Sequence, residues 1–153
     1  MSDETFDLSI SRIIDAPVAA VWRAYTEHTE EWFCPKPWRV EIVEWDLRPG
    51  GRSALVMHGP DGEVMPMEGV FLEIVPESLI VTTDAFRTGW VPQTAFMTAI
   101  TEFIPQGDKT AYRATARHWT EEARAQHEAM GFETGWGTVA GQLEEVAKRL
   151  AAG

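Results

Sequence analysis

Arg48-Pro49-Gly50-Gly51, Gly59-Pro60-Asp61-Gly62, Pro76-Glu77-Ser78 and Pro105-Gln106-Gly107-Asp108 punctuate the chain after residue 45, and the runs between them are rich in Val, Ile, Phe, Met and Thr. Proline fixes φ for the second position of a turn, and glycine supplies the positive φ that side chains avoid. Such turns between β-prone runs predict one curved antiparallel sheet. A long helix is predicted from near Thr120. A curved sheet closed by one helix can hold a cavity, so the fold itself points toward binding.

Working outward from the turns, Arg52–His58 and Val64–Val75 are predicted to pair across Pro60-Asp61-Gly62. Pro66 has no N–H for a ladder, so the second strand starts as an edge or a bulge. Residues 38–47 alternate, with Trp38, Val40, Ile42 and Glu44 on one side and Arg39, Glu41, Val43 and Trp45 on the other. An aromatic on each side leaves the inner face of this strand open. Residues 79–85 read as a strand and 87–93 as a loop, and 94–104 with 110–119 as the last hairpin.

Upstream, Phe6–Ile14 alternates apolar and polar residues, the pattern of a half-buried strand. Asp15-Ala16-Pro17 reads as a helix start, with an Asp cap and Pro in the first turn. Val18, Val21, Trp22 and Tyr25 then share one helical face. A second short helix is expected over 28–33, capped by Thr29, with Glu30 and Glu31 at its positive end and Pro35 and Pro37 stopping it. Downstream, Glu121-Glu122-Ala123-Arg124-Ala125-Gln126 favours helix, and Gly131 marks a break or kink. Phe132, Trp136, Val139, Leu143, Val146 and Leu150 form one apolar stripe that should lie across the sheet. Glu144 with Lys148, and Glu145 with Arg149, are spaced as i,i+4 pairs on the outer face.

At 153 residues the chain is expected to be one domain with a sizeable core. Seven Trp, seven Phe and six Met suit both a core and an adaptable apolar pocket. A net charge of −11 repels phosphate backbones and anionic headgroups, which disfavours nucleic acid and membrane surfaces as partners. With one cysteine, Cys34, neither an intramolecular disulfide nor a thiolate zinc site can form. The acidic opening, residues 1–7, carries no apolar signal region, and a cytoplasmic location is expected.

Asp15-Ala16-Pro17 with Val21-Trp22, then Trp32-Phe33-Cys34-Pro35, Asp46-Leu47-Arg48-Pro49-Gly50-Gly51, Gly69 before Glu73-Ile74-Val75-Pro76-Glu77-Ser78-Leu79, and Gly135-Trp136 follow one another in an order that resembles a known family. It is the family named for the activator of the heat-shock protein 90 ATPase, within the START-like, helix-grip superfamily. The resemblance implies an α+β fold of six or seven antiparallel strands gripping a long C-terminal helix, with two small helices between the first two strands. It also implies a cavity between helix and sheet. The superfamily includes lipid carriers, hormone-binding proteins, polyketide cyclases and co-chaperone domains, so fold alone does not select a function.

Among candidate site residues, His118 shares its strand parity with Tyr112, Ala114 and Ala116, while Arg113 and Arg117 take the other side. His118 should therefore face inward. It is either a polar anchor or proton shuttle in an apolar pocket, or a histidine satisfied by a backbone carbonyl. Trp32, Phe33 and Trp38 flank Cys34-Pro35-Lys36-Pro37, either as an aromatic gate or as the closure of the sheet's end. Met57, Met67, Trp90, Phe96, Met97 and Trp136 are the remaining candidates for a pocket wall. Cys34 near Lys36 has no Cys-His signature and reads as an inert thiol. His28, His58 and His127 show no metal-ligand spacing. The Arg-Pro-Gly-Gly turn lacks the Gly-Lys-Ser/Thr end of a phosphate loop.

Three functions compete at this level. The first is a binding protein for a small apolar or amphipathic molecule. The second is a chaperone partner modulating a heat-shock protein 90 ATPase. The third is a cyclase-like enzyme using His118. No cofactor is implied, and both monomer and homodimer are compatible with the sequence.

Overall fold

A computed structural model describes residues 5–153; residues 1–4 of the acidic opening lie outside the described residues. Strand β1 (Phe6–Ile14) leads into α1 (Val18–Glu27) and a 3-10 turn (Thr29–Glu31). Then come β2 (Arg39–Trp45), β3 (Arg52–His58), β4 (Val64–Val75) and β5 (Leu79–Thr83). A miniature ribbon, β6 (Phe86–Arg87) and β7 (Val91–Pro92), precedes β8 (Thr98–Gln106), β9 (Lys109–His118), α2 (Glu121–Ala129) and α3 (Phe132–Ala152). The main sheet has seven antiparallel strands in the order β1-β9-β8-β5-β4-β3-β2. This is the α+β helix-grip architecture that the family resemblance implied, and its antiparallel sheet is the one the turns predicted.

Each hairpin follows from its turn residues. Gly50, Gly62 and Gly107 have positive φ at the three glycine turns, and Val64–Val75 pairs with Arg52–His58 as the Pro60-Asp61-Gly62 turn requires. Pro66 lies in the part of β4 that pairs with β3 alone, since β5 reaches only Val70 to Val75. Its missing donor therefore faces an edge. In β2 the register shifts between Ile42 and Glu44, which makes Val43 the extra residue of a bulge. Val40 and Ile42 point inward before it and Trp45 points inward after it, while Val43 is exposed. The bulge explains why simple alternation assigned no inner face to this strand.

Several local expectations are corrected. Asp15 does not cap α1: Pro17 occupies the cap position, and the Asp15 backbone N–H donates to Glu144 at 2.8 Å instead. The 28–33 segment forms only one 3-10 turn, and the Thr29 hydroxyl donates back to the Tyr25 carbonyl at 2.7 Å. Residues 94–97 stay outside β8 because the Asp84 carboxylate takes the Phe96 and Met97 N–H groups at 2.9 and 3.2 Å. The expected pairs along α3 give way to ties between elements: Glu144 binds Arg12 of β1, and Arg149 binds Glu31.

Thr120 caps α2, its hydroxyl accepting the Ala123 N–H at 3.1 Å. Gly131, at φ +94°, breaks the helix before α3, as its position predicted. Phe132, Leu143 and Val146 of the α3 stripe are buried, and Trp136, Val139 and Leu150 pack against the same core. That core includes Val21 and Tyr25 of α1, Phe71, Ile80, Phe103 and Tyr112. Among the described residues no helix is long and apolar enough to cross a membrane.

Candidate functional site

Strand parity carries His118 inward, where it is 4 % exposed. Its Nδ1 lies 2.9 Å from the Phe6 carbonyl oxygen, and its Nε2 lies 2.9 Å from Nδ1 of His127. The backbone-carbonyl reading of His118 is therefore right for one nitrogen. The other nitrogen makes a contact that sequence spacing did not show. A carbonyl only accepts, so when both rings are neutral Nδ1 of His118 carries a proton toward Phe6. Its Nε2 then accepts from Nδ1–H of His127. Nε2 of His127 is left with a lone pair and makes no hydrogen bond among the described residues.

Aromatic rings enclose the pair. The His127 ring centroid lies 4.8 Å from Phe96, 5.1 Å from Phe132 and 5.9 Å from Trp136, and His118 lies 5.7 Å from Phe96. Phe132 and Trp136 lie 4.5 Å apart with their ring planes tilted by 37°. Three of the predicted site residues, Phe96, His118 and Trp136, thus come together, and sequence reasoning missed His127 and Phe132 as their neighbours. The available signal was the Thr120 cap, which fixes where α2 starts and which residues it turns toward β9.

A second group occupies the inner face of β2, β3 and β4. Cys34, Val40 and Leu55 are buried there, with Phe33, Trp38, Met57, Met67, Ile42 and Trp45 partly buried around them. Burial pushes the Cys34 thiol up to about 11, which makes it a poor nucleophile at neutral pH. Trp45 belongs to both apolar groups and meets Phe71 edge-on at 5.0 Å.

Two expectations are corrected. Trp32 is 2 % exposed, donates its indole N–H to the Ala24 carbonyl at 2.8 Å and packs on Tyr25. It is a core residue, because a satisfied donor and a full set of neighbours hold it in place. Trp90 is 56 % exposed in the β6–β7 ribbon, which folds over the outer face of the sheet beside Gly50. It lines no inner pocket. Met97 is partly buried, and its backbone N–H is held by the Asp84 carboxylate at 3.2 Å.

The space between helix and sheet, where a cavity was expected, holds the larger apolar core. Tyr25, Phe71, Phe103 and Leu143 are all at most 8 % exposed and pack in one core between helices and sheet. One hollow of about 440 Å³ lies on the outer face, lined by Glu44, Asp46, Arg48, Arg52, Glu68 and Arg87 among others. Another of about 260 Å³ lies beside Ile13, Ile104 and Ala111. Neither is lined by a predicted site residue.

Burial, and secondarily the neighbouring His118, pushes His127 down to about 4 from the 6.5 of a free imidazole. Between those values the unfolded chain binds more protons than the native one, so stability is full above pH 6.5 and falls as the pH falls toward 4. With solvent screening allowed for, the expected loss is about 2 kcal/mol across this window. The arginine-paired Glu31, held at about 2, acts only below the 4.5 of a free carboxylate. Urea unfolding between pH 7 and 5 should show the slope in the native chain and not in His127→Phe. An equal slope in both proteins would rule out His127 as its source.

The chain matches the family model of activator of Hsp90 ATPase homolog 1-like proteins over residues 15–148. A protein from Nitrosomonas europaea, known from its crystal structure, is 40% identical, with 100% of each chain covered and a TM-score of 0.91. One from Mycobacterium smegmatis is 25% identical, with 93% of this chain and 90% of that one covered and a TM-score of 0.78. An AHSA1-like protein from Aeromonas hydrophila shares the fold at 18% identity and a TM-score of 0.68, with 93% of each chain covered. Among curated proteins none matches. The breadth of the family match and the full-length likeness to the Nitrosomonas protein agree with the strand order and the terminal helix described above: the chain belongs to the activator of Hsp90 ATPase homolog 1-like family.

Proposed function

We propose that the chain is a single helix-grip domain that binds a small apolar molecule on the inner face of its sheet. Phe33, Trp38, Met57 and Met67 supply one apolar surface, and Phe96, Phe132 and Trp136 supply another. The His118–His127 pair is the polar anchor. That pair is the observation that carries the reading. Two hydrogen-bonded imidazoles enclosed by three aromatic rings are costly to desolvate, and apolar residues of similar size would pack there at lower cost. The His127 lone pair, fixed by the chain of bonds running back to Phe6, suits a ligand hydroxyl or N–H.

The test is a titration with 2-naphthol followed by tryptophan emission. Saturable binding is expected, with His127→Phe weakening it about tenfold, the worth of one hydrogen bond. No saturable change in the native chain overturns the reading. The family's name points instead to a heat-shock protein 90 ATPase. A pull-down with the ATPase rate measured separates the two roles: an accelerated ATPase in a chain that binds no small molecule replaces ours.

A further inference from the structure

Among the described residues, Nε1 of Trp45 is the one buried side-chain nitrogen or oxygen with no hydrogen-bond partner. Buried donors in folded proteins are almost always paired, and leaving one unpaired costs about 1–3 kcal/mol. Trp32 shows what this fold does with an ordinary core indole: its N–H meets a carbonyl at 2.8 Å. Trp45 is treated differently, and its orientation is built. If β2 alternated strictly through Val43, with no bulge, Trp45 would fall on the outer face with Glu41. The bulge turns it inward, to the junction of the two apolar groups, where it meets Phe71. Bulges commonly re-aim a side chain beside a functional site.

From this geometry we infer that Trp45 is the hydrogen-bond donor that selects the ligand, and that the ligand is a small neutral molecule bearing a carbonyl oxygen. The inference rests on the inner face being a binding site, as proposed above, and adds the ligand's chemical class. A donor requires an acceptor. The members of both groups are apolar, and burying a carboxylate among them costs far more than burying a neutral oxygen. A ketone, ester or amide oxygen meets the N–H without that penalty. Met57 and Met67, partly buried in one of those groups, are unbranched and adaptable, and give an apolar body room to settle beside the indole.

Two probes of matched size test this: 2-acetylnaphthalene, which has a carbonyl, and 2-ethylnaphthalene, which does not. Calorimetric titration of the native chain is expected to favour the ketone about tenfold, and Trp45→Phe should reduce that preference to less than about twofold. An independent readout needs no variant to fold. In a ¹⁵N-correlated spectrum of the native chain, one indole N–H should move downfield with the ketone and stay in place with the hydrocarbon. Nuclear Overhauser contacts to the Phe71 ring in the native chain assign it to Trp45.

If both probes bind equally and no indole proton responds, the donor role is wrong while the inner-face site stands. If neither probe binds, the site itself is wrong and the donor role falls with it. A nuclear Overhauser contact from the Trp45 N–H to a long-lived water that the ketone does not displace would also overturn the inference, because the donor would already be satisfied.

Discussion

Gly51→Ala is expected to destabilise the protein by at least about 4 kcal/mol, the range reserved for changes the backbone cannot absorb. Gly50 and Gly51 stitch the β2–β3 connection to β4: the Gly50 N–H donates to the Phe71 carbonyl at 2.7 Å, and the Phe71 N–H donates to the Gly51 carbonyl at 3.0 Å. A Cβ on Gly51 would run into the Asp46 carbonyl oxygen, far inside contact distance, and would stand 2.9 Å from that of Arg48. Both obstacles are backbone, so no rotamer change relieves them. The Arg48 carbonyl also accepts the Gly51 N–H at 2.8 Å, so moving the turn breaks its own bonds. Gly50 needs glycine for a different reason, its φ of +80°. Alanine there costs about 1–2 kcal/mol for the left-handed backbone. Urea unfolding of both variants measures the contrast. A Gly51→Ala protein within 1 kcal/mol of the native chain would show that the turn has slack that the close approach denies.

The two glycines illustrate what was legible in the sequence. The Arg-Pro-Gly-Gly run announced a turn, and the turn series announced an antiparallel sheet and its hairpins, though not the order of its strands. It did not reveal that only one glycine is there for its φ, because close approach depends on which carbonyls come back to meet it. Trp45 was ambiguous for a similar reason. A bulge residue such as Val43 has no side-chain signature, so alternation placed aromatics on both faces of 38–47. The inward face of His118 was legible from Arg113 and Arg117. Its bond to His127 was not, since that depends on the angle at which α2 leaves β9. Trp90 misled because an aromatic near Gly and Pro looks the same whether its ribbon folds over the inner or the outer face. Local pattern thus fixed the strands and most orientations. The encounters between distant elements, which make the candidate site, needed the packing.

Phe103→Ala is expected to remove about 3–5 kcal/mol, the usual cost of deleting a buried ring and leaving a hole. Phe103 is 1 % exposed and joins the two layers. Its ring meets Trp22 at 5.3 Å and Tyr25 at 5.4 Å on α1, and Tyr112 at 5.9 Å on β9. Its backbone N–H closes the sheet onto the Ser78 carbonyl at 2.8 Å, so the strand will hold its place and the hole will not collapse readily. For a domain of this size the melting temperature should fall by about 10 °C or more. Tyr25→Phe is the milder control: it removes one 3.3 Å hydroxyl contact with Thr101 and should cost about 1 kcal/mol. The hole in Phe103→Ala would be walled by Trp22, Tyr25 and Tyr112, and an apolar hole of this kind stays dry and takes up benzene. Benzene should therefore raise the melting temperature of Phe103→Ala and leave that of the native chain unchanged. If the native chain responds equally, the space under α1 is already open and the ligand site does not lie where we have put it. If only the variant responds, the filled half anchors the fold, and the work of binding is left to the face that carries Trp45 and the paired histidines.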